Sequence, residues 1–239
     1  MNIALIFAGG VGQRMNSRAL PKQFLELHGK AIIIHTIEHF DSHPEIDAVV
    51  CVCHNDWIEY FEKLLKKFGI TKVKAVVGGG ATGQESIRKG IEKISELFPD
   101  DSIVLIHDGV RPLINEELIT DNIACVKKYG NSITVTPAIE TITLCPEDKS
   151  NEVQDVLDRS RCMLARAPQC FILRDIAEAH RLAAEEGFEA IDSAMLMRHY
   201  GQTLHTTLGG PENIKITTPS DFYIFRAIVD ARENSQIFG

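Results

Sequence analysis

Apolar residues run without interruption over 3–7, Ile3-Ala4-Leu5-Ile6-Phe7, with no polar alternation. A short run of this kind, with glycines directly after it, reads as a strand buried in a parallel sheet. Further along, the spacing becomes helical. Ile33, Ile34, Ile37 and Phe40 make the stripe of a helix over 31–40, and 57–68 is amphipathic with Lys63, Lys66 and Lys67 outside. Strands are expected at 47–53, 72–77, 103–106 and 132–136, with helices at 84–98 and 116–128. Strand alternates with helix, which predicts an α/β fold: a Rossmann-like, mostly parallel sheet with helices on both faces. Functional loops in such sheets sit at the carboxyl ends of strands.

The alternation stops near residue 139. Thr141-Ile142-Thr143 and residues 154–159 read as extended stretches around a polar turn at 146–152. Together they predict a hairpin arm over about 139–166 that leaves the domain. The arm has too little apolar content to bury itself, so it is expected to pack on a second subunit. Helical pattern returns over 173–186, strands are expected at 202–206 and 213–217, and Pro219-Ser220-Asp221 opens a last helix. The 239 residues are read as a single domain, 1–239, carrying that arm.

Composition narrows the function. Hydrophobic residues at 44% and charged residues at 24% describe a globule with a full core. A net charge of −8 speaks against a nucleic-acid partner, so any cationic site must be a local cluster. The six cysteines have no zinc or CxxC spacing, as expected of reduced thiols. No signal peptide and no apolar run long enough for a bilayer is visible, so a cytoplasmic protein without membrane contact is expected.

The first strand runs into Ala8-Gly9-Gly10-Val11-Gly12-Gln13-Arg14-Met15, followed by Pro21-Lys22-Gln23-Phe24. Three glycines in four positions let backbone N–H groups converge on an anion. Arg14 adds a fork of donors and Lys22 a mobile charge, a set that suits a triphosphate. Neither the Walker ending nor the third glycine of the dinucleotide fingerprint is present. A second glycine turn, from Gly78 through Gly79 and Gly80 to Ser86, is suited to close over a base; Ser86 could bond the ligand or cap the helix, and capping is the commoner role for such a serine. Asp108 and Arg111 follow a strand; they suit a metal, a ribose or a substrate hydroxyl, or a mutual surface ion pair. Lys215, between two isoleucines, points by alternation away from them, most simply into solvent. His35, Glu38 and His39 match H-x-x-E-H formally, but they lie opposite the apolar stripe and are read as facing water.

Taken in order, these motifs resemble one family: the cytidylyltransferases that join CTP to a small polyol phosphate. The marks are Ala8-Gly9-Gly10-x-Gly12-x-Arg14-Met15, Pro21-Lys22-Gln23-Phe24, the turn from Gly79 to Ser86, and His107-Asp108-x-x-Arg111-Pro112. Glu140-Thr141, Asp158-Arg159, Pro168-Gln169 and Asn213-x-Lys215-x-Thr217 complete them. The resemblance implies that Arg14, Lys22 and Lys215 are catalytic, holding the triphosphate and the charge of the transition state. Ala8, Gly9, Gly10, Gly12, Gly79, Gly80, Ser86 and Asp108 would bind nucleotide. Arg111 would bind substrate, and Thr141 and Arg159 would do so from the arm of a partner subunit in a homodimer. Mg²⁺ is the implied cofactor, held by Asp108 or through the CTP phosphates. Two positions depart from the pattern: Gly83 stands where many members carry arginine, and Ala167 where threonine is common. The family's two branches use 2-C-methyl-D-erythritol 4-phosphate, for isoprenoid synthesis, and D-ribitol 5-phosphate, for teichoic acid or capsule. Leu20-Pro21-Lys22-Gln23-Phe24-Leu25-Glu26-Leu27, the spacing of Arg14 from Lys22, and Ile214-Lys215-Ile216-Thr217-Thr218 resemble the ribitol branch. The expected products are therefore CDP-ribitol and pyrophosphate. An inactive nucleotide-binding or scaffold protein on the same fold is the alternative of another class.

Overall fold

The fold begins with β1 (Asn2–Ala8), whose central residues are solvent-free because both faces of the strand are covered. A single 3-10 turn at Lys22–Phe24 leads to a small ribbon of β2 (Glu26–Leu27) and β3 (Lys30–Ala31). Then follow α1 (Ile32–Ser42), β4 (Ala48–Cys53), α2 (Ile58–Lys67), β5 (Val73–Gly78), α3 (Gly83–Leu97), β6 (Ile103–Asp108), α4 (Glu116–Tyr129) and β7 (Asn131–Pro137). The arm carries β8 (Thr143–Leu144) and β9 (Asp155–Val156). The chain returns through β10 (Met163–Ile172), α5 (Leu173–Glu186), α6 (Ser193–His199), β11 (Thr206–Leu208) and α7 (Pro219–Phe238). This computed structural model describes residues 1–8, 20–148 and 151–238, with side chains to 234. The glycine loop over 9–19, with Gly9, Gly10, Gly12 and Arg14, lies outside the described residues.

The main sheet has the order β11-β7-β10-β6-β1-β4-β5. β1 pairs in parallel with β4 on one side and β6 on the other, and only β10 runs antiparallel to its neighbours. The chain steps outward from β1 through β4 to β5, then crosses back to place β6 on the opposite side. Strand order reverses there, so the ends of β1 and β6, Ala8 and Asp108, border a crevice. α1, α2 and α4 cover one face and α3, α5 and α6 the other. A third cluster joins Leu27, Ile32, Val110, Ile216 and Phe225, and seats α7 beside the end of β6.

Four expectations need correction. β10 begins at Met163, so the arm ends before residue 166 and its last residues belong to the sheet. The strand expected at 202–206 is instead Thr206–Leu208, one short edge partner of β7. Residues 213–217 form no strand; they are held singly, as by the 2.9 Å bond from Ile216 N to Val110 O. His35 and His39 do not face water: each ring meets a backbone carbonyl, Leu27 at 3.2 Å and Pro112 at 3.1 Å, while Glu38 pairs with Lys30 at 2.6 Å. The β2–β3 ribbon and α7 cover that side of α1 and explain the difference.

His107 and His180 are buried and form no ion pair among the described residues. His107 on β6 meets the Arg111 carbonyl at 3.1 Å through Nε2, and neither ring nitrogen of His180 on α5 has a partner among the described residues. Burial holds both at about 4, with the Arg111 carbonyl opposing it at His107 and Arg88 adding to it at His180. An unfolded histidine titrates near 6.5, so unfolding takes up protons below that pH. Their contribution is therefore complete above about pH 6.5 and is lost as pH falls toward 4, with a slope of up to about 1.4 kcal/mol per pH unit for each ring. Urea unfolding between about pH 7 and pH 5 should show this loss, and His180→Phe should reduce its slope. A flat profile in both proteins would refute the assignment.

Candidate active site

Two adjoining cavities open at the carboxyl ends of β1 and β6. The smaller, of ≈ 250 Å³, is bordered by Ala8, Lys22, Gly80, Thr82 and Ser86. The larger, of ≈ 310 Å³, is bordered by Arg111, Arg166, Gln169, Asp192 and Ser193. Phe7, Gly83, Asp108 and Lys215 line both.

The glycine turn after β5 is built by its own polar groups. Thr82 caps α3 by accepting from Glu85 N at 3.1 Å, and Glu85 accepts from Ala81 N at 2.7 Å, close to a capping box. Ser86 is buried and is not the cap. Its hydroxyl accepts from Gly80 N at 3.0 Å and donates to the Thr82 carbonyl at 2.9 Å, so it shapes the turn. Gly79 N donates to the Cys53 carbonyl and Lys89 Nζ to the Gly79 carbonyl, which ties the turn to β4 and α3. A Cβ at Gly80 would stand 2.4 Å from the Glu85 side chain, so glycine is needed for the close approach. At Gly83 a Cβ would meet nothing within 4 Å; the departure leaves open space between the cavities.

Lys22 is presented by the 3-10 turn. Phe24 anchors that turn in the core against Trp57, Tyr60 and Phe61, and the buried Gln23 donates to the Ala8 carbonyl at 2.9 Å. Lys22 Nζ donates to the Ile216 carbonyl at 3.1 Å, which brings it beside the segment that carries Lys215. Gln23 stands in a sequence motif whose pattern does not reveal this role; its place next to Phe24 is the signal for it.

Asp108 is the centre of the shared wall. Lys215 Nζ lies 2.6 Å from Oδ1, and Arg111 Nε donates to Oδ2 at 2.7 Å. The ion pair expected between Asp108 and Arg111 exists, but it is buried rather than on the surface: the side chains are only 8% and 11% exposed. Burial opposes ionisation of Asp108, yet Lys215 and Arg111 outweigh it and hold the carboxyl down at about 2. Asp108 is therefore a carboxylate across the physiological range. Lys215, 40% exposed, faces the cavities and not bulk solvent alone.

Both Asp108 oxygens are thus committed to cations, an arrangement that does not fit a direct Mg²⁺ ligand. Among the described residues the only metal-like cluster is His28, Asp230 and Glu233, on the surface and lining neither cavity. Thr141 and Arg159 are exposed on the arm, with Arg159 Nη1 donating to the Ile139 carbonyl at 2.8 Å. Neither borders the cavities of its own chain. Arg166, missed in the sequence because it was assigned to the arm, does border one.

The chain matches, over residues 2–231, the family model described as "IspD: 2-C-methyl-D-erythritol 4-phosphate cytidylyltransferase". A ribitol-5-phosphate cytidylyltransferase of Streptococcus agalactiae serotype III is 55% identical over 240 residues, covering 100% of both chains. A 2-C-methyl-D-erythritol 4-phosphate cytidylyltransferase of Syntrophus aciditrophicus is 34% identical, covering 97% of each. The crystal structure of 4-diphosphocytidyl-2C-methyl-D-erythritol synthase from Anaerococcus prevotii superposes with a TM-score of 0.82 at 25% identity, covering 96% of each chain.

Proposed function

The chain belongs to the 2-C-methyl-D-erythritol 4-phosphate cytidylyltransferase (IspD) family, and from that premise we propose that it joins CTP to D-ribitol 5-phosphate, giving CDP-ribitol and pyrophosphate. It is a nucleotidyltransferase of α/β fold. The substrate choice is carried by one observation: full-length identity is 55% to a relative named for ribitol 5-phosphate, against 34% to one named for the methylerythritol phosphate.

The geometry supports the chemistry. CTP is assigned to the smaller cavity, its base under the Gly79–Ser86 turn and its phosphates toward Lys22. The polyol phosphate takes the larger cavity, and its phosphate meets the nucleotide at the shared wall of Asp108 and Lys215. The nucleophile is a phosphate oxygen, already anionic near neutral pH, so no general base is needed. The site must place that oxygen in line with the α-phosphorus and neutralise the charge building there and on pyrophosphate. Lys215 stands at the junction of the two cavities, and Asp108 and Arg111 hold it there. Mg²⁺ is assigned to the CTP phosphates rather than to Asp108, and when bound it would neutralise their charge. CTP as substrate and thiols without a disulfide pattern support a cytoplasmic protein that feeds teichoic acid or capsule synthesis; among the described residues no helix is long and apolar enough to cross a membrane.

The arm supports a homodimer. β8 and β9 pair over two residues only, too little for independent stability. Ile139, Val153 and Val156 on it are 76%, 58% and 56% exposed. A second copy would cover them and bring Thr141 and Arg159 to its neighbour's larger cavity.

With purified protein, pyrophosphate release from CTP should favour D-ribitol 5-phosphate over 2-C-methyl-D-erythritol 4-phosphate by about tenfold or more in kcat/KM, as polar pockets discriminate by hydrogen bonds. The opposite preference would overturn the substrate alone, and no turnover with either would favour the inactive nucleotide binder. Lys22→Ala and Lys215→Ala should each lower kcat by about a hundredfold, Lys22→Ala with little change in Tm and Lys215→Ala with a lowered Tm, because buried Asp108 then loses one of its two counter-charges. Near-normal turnover in both would remove them from the mechanism. Mixed dimers of Arg159→Ala and Lys22→Ala subunits should regain activity that neither variant has alone. No recovery in verified mixed dimers would count against a site shared between subunits.

A further inference from the structure

The wall of the larger cavity carries a second guanidinium whose role the family reading leaves open. Arg166 lies where β10 slips against β7: the four steps from Ala165 to Gln169 stand opposite only two, from Val135 to Ile133. A bulge of this kind re-aims side chains out of strand alternation. Arg166 Nε donates to Thr136 Oγ1 at 3.1 Å, and Nη1 donates to the Asn213 carbonyl at 3.1 Å. That same carbonyl accepts from Arg111 Nη1 at 2.9 Å. Two guanidiniums therefore stand side by side on one oxygen, both bordering the cavity.

Their charges are unequal in support. Arg111 has Asp108; Arg166 pairs with no carboxylate among the described residues, and the charge beside it is that of Arg111. Burial and that neighbour both lower its pKa, so a like charge is held close without a counter-ion. Around Asp108 the wall presents Lys215, Arg111 and Arg166, an excess of positive charge in a chain of net charge −8. Among the described residues, the Nη2 group and one Nη1 hydrogen of Arg166 are left uncommitted. A purely architectural tie from β7 to Asn213 needs donors but no charge.

We propose that Arg166 is a substrate-binding residue that, beside Arg111, holds the phosphate monoester of the acceptor. Planar forks of donors suit a phosphate dianion, which would supply the missing counter-charge. This rests on the cytidylyl-transfer reading above. It also orients the acceptor. Another part of the wall is polar and braced: Gln169 Nε2 donates to Asp192 Oδ2 at 2.8 Å, and Asp192 Oδ1 accepts from Met195 N at 2.8 Å to cap α6. Hydroxyls face that part, and the phosphate lies at the end nearest Lys215.

The test is a pair of variants, Arg166→Gln and Arg166→Lys, assayed by pyrophosphate release and by thermal shift with the polyol phosphate alone. Arg166→Gln should raise KM for D-ribitol 5-phosphate about tenfold or more, leave KM for CTP within about twofold, and abolish most of the thermal stabilisation by the polyol phosphate; Arg166→Lys should fall between. Inorganic phosphate, competing with the polyol phosphate, should lose potency in step. An unchanged KM for the polyol phosphate, or a parallel rise in both KM values, would overturn the proposal. Should Arg166→Gln fail to fold, the same criteria apply to Arg166→Lys. If the wild type shows no turnover at all, the cytidylyl-transfer reading fails by itself. The phosphate-dependent thermal shift of wild type against variant then still decides on Arg166.

Discussion

A buried carboxylate between two cations holds the site together. Asp108 ends β6 and would cost several kcal/mol to bury alone as an ion. Lys215 and Arg111 make that burial tolerable, and in doing so they fix three parts of the chain. β6 is joined to the irregular segment over 213–217, which has no ladder of its own. Ile216 then bonds Val110 and packs with Phe225, so α7 is seated by the same junction. Lys22 completes it from the other side, through the Ile216 carbonyl. Removing the charge of Asp108 would release Lys215 and leave Arg111 part-buried without its partner.

Much of the sheet was legible because its strands are continuous apolar runs and its helices keep a stripe. α5 was expected over 173–186 and spans Leu173–Glu186. β10 was not legible, since Arg166 and Pro168 interrupt it and a proline argues against a central strand. The bulge accommodates both, and no local pattern announces a bulge. The polar side of α1 was misread for a different reason. Amphipathicity shows which side is apolar, but not that a ribbon and a helix from far along the chain will cover the rest. Lys215 was the hardest case. Its alternation with isoleucines was real, but the cavity to which it points exists only once β6 and the 213–217 segment meet. The likeness of ordered motifs, not periodicity, brought it into the site.

Placement of charge explains how an acidic chain handles anionic substrates. Net charge of −8 would repel nucleotide phosphates over long distances, though salt screens this beyond about 8–10 Å. Inside the crevice the balance is reversed, because cations from four separate segments converge there: Lys22, Arg111, Arg166 and Lys215. Each is held by a backbone carbonyl or by Asp108, so little reorganisation is needed when an anion arrives. Preorganised charge of this kind is worth more to a transition state than mobile surface lysines would be.

The two cavities share a wall, and this constrains the reaction more than either cavity does. A nucleotide cavity alone would bind CTP and leave water as the nearest nucleophile. With Asp108 and Lys215 common to both, the proposed placement of CTP and acceptor would deliver the acceptor phosphate to the face of the α-phosphorus. Orientation of two bound reactants contributes on the order of 7–11 kcal/mol when the geometry is near attack. The rigidity for this comes from braced partners: Ser86 under the glycine turn on one side, Asp192 and Gln169 on the other. Gly83 lines both cavities, and an added Cβ there would meet nothing within 4 Å. Selectivity for the acceptor then falls to the larger cavity, where a cationic end and a polar end fix the direction of a phosphorylated polyol. A ligand lacking either end would lose alignment as well as affinity.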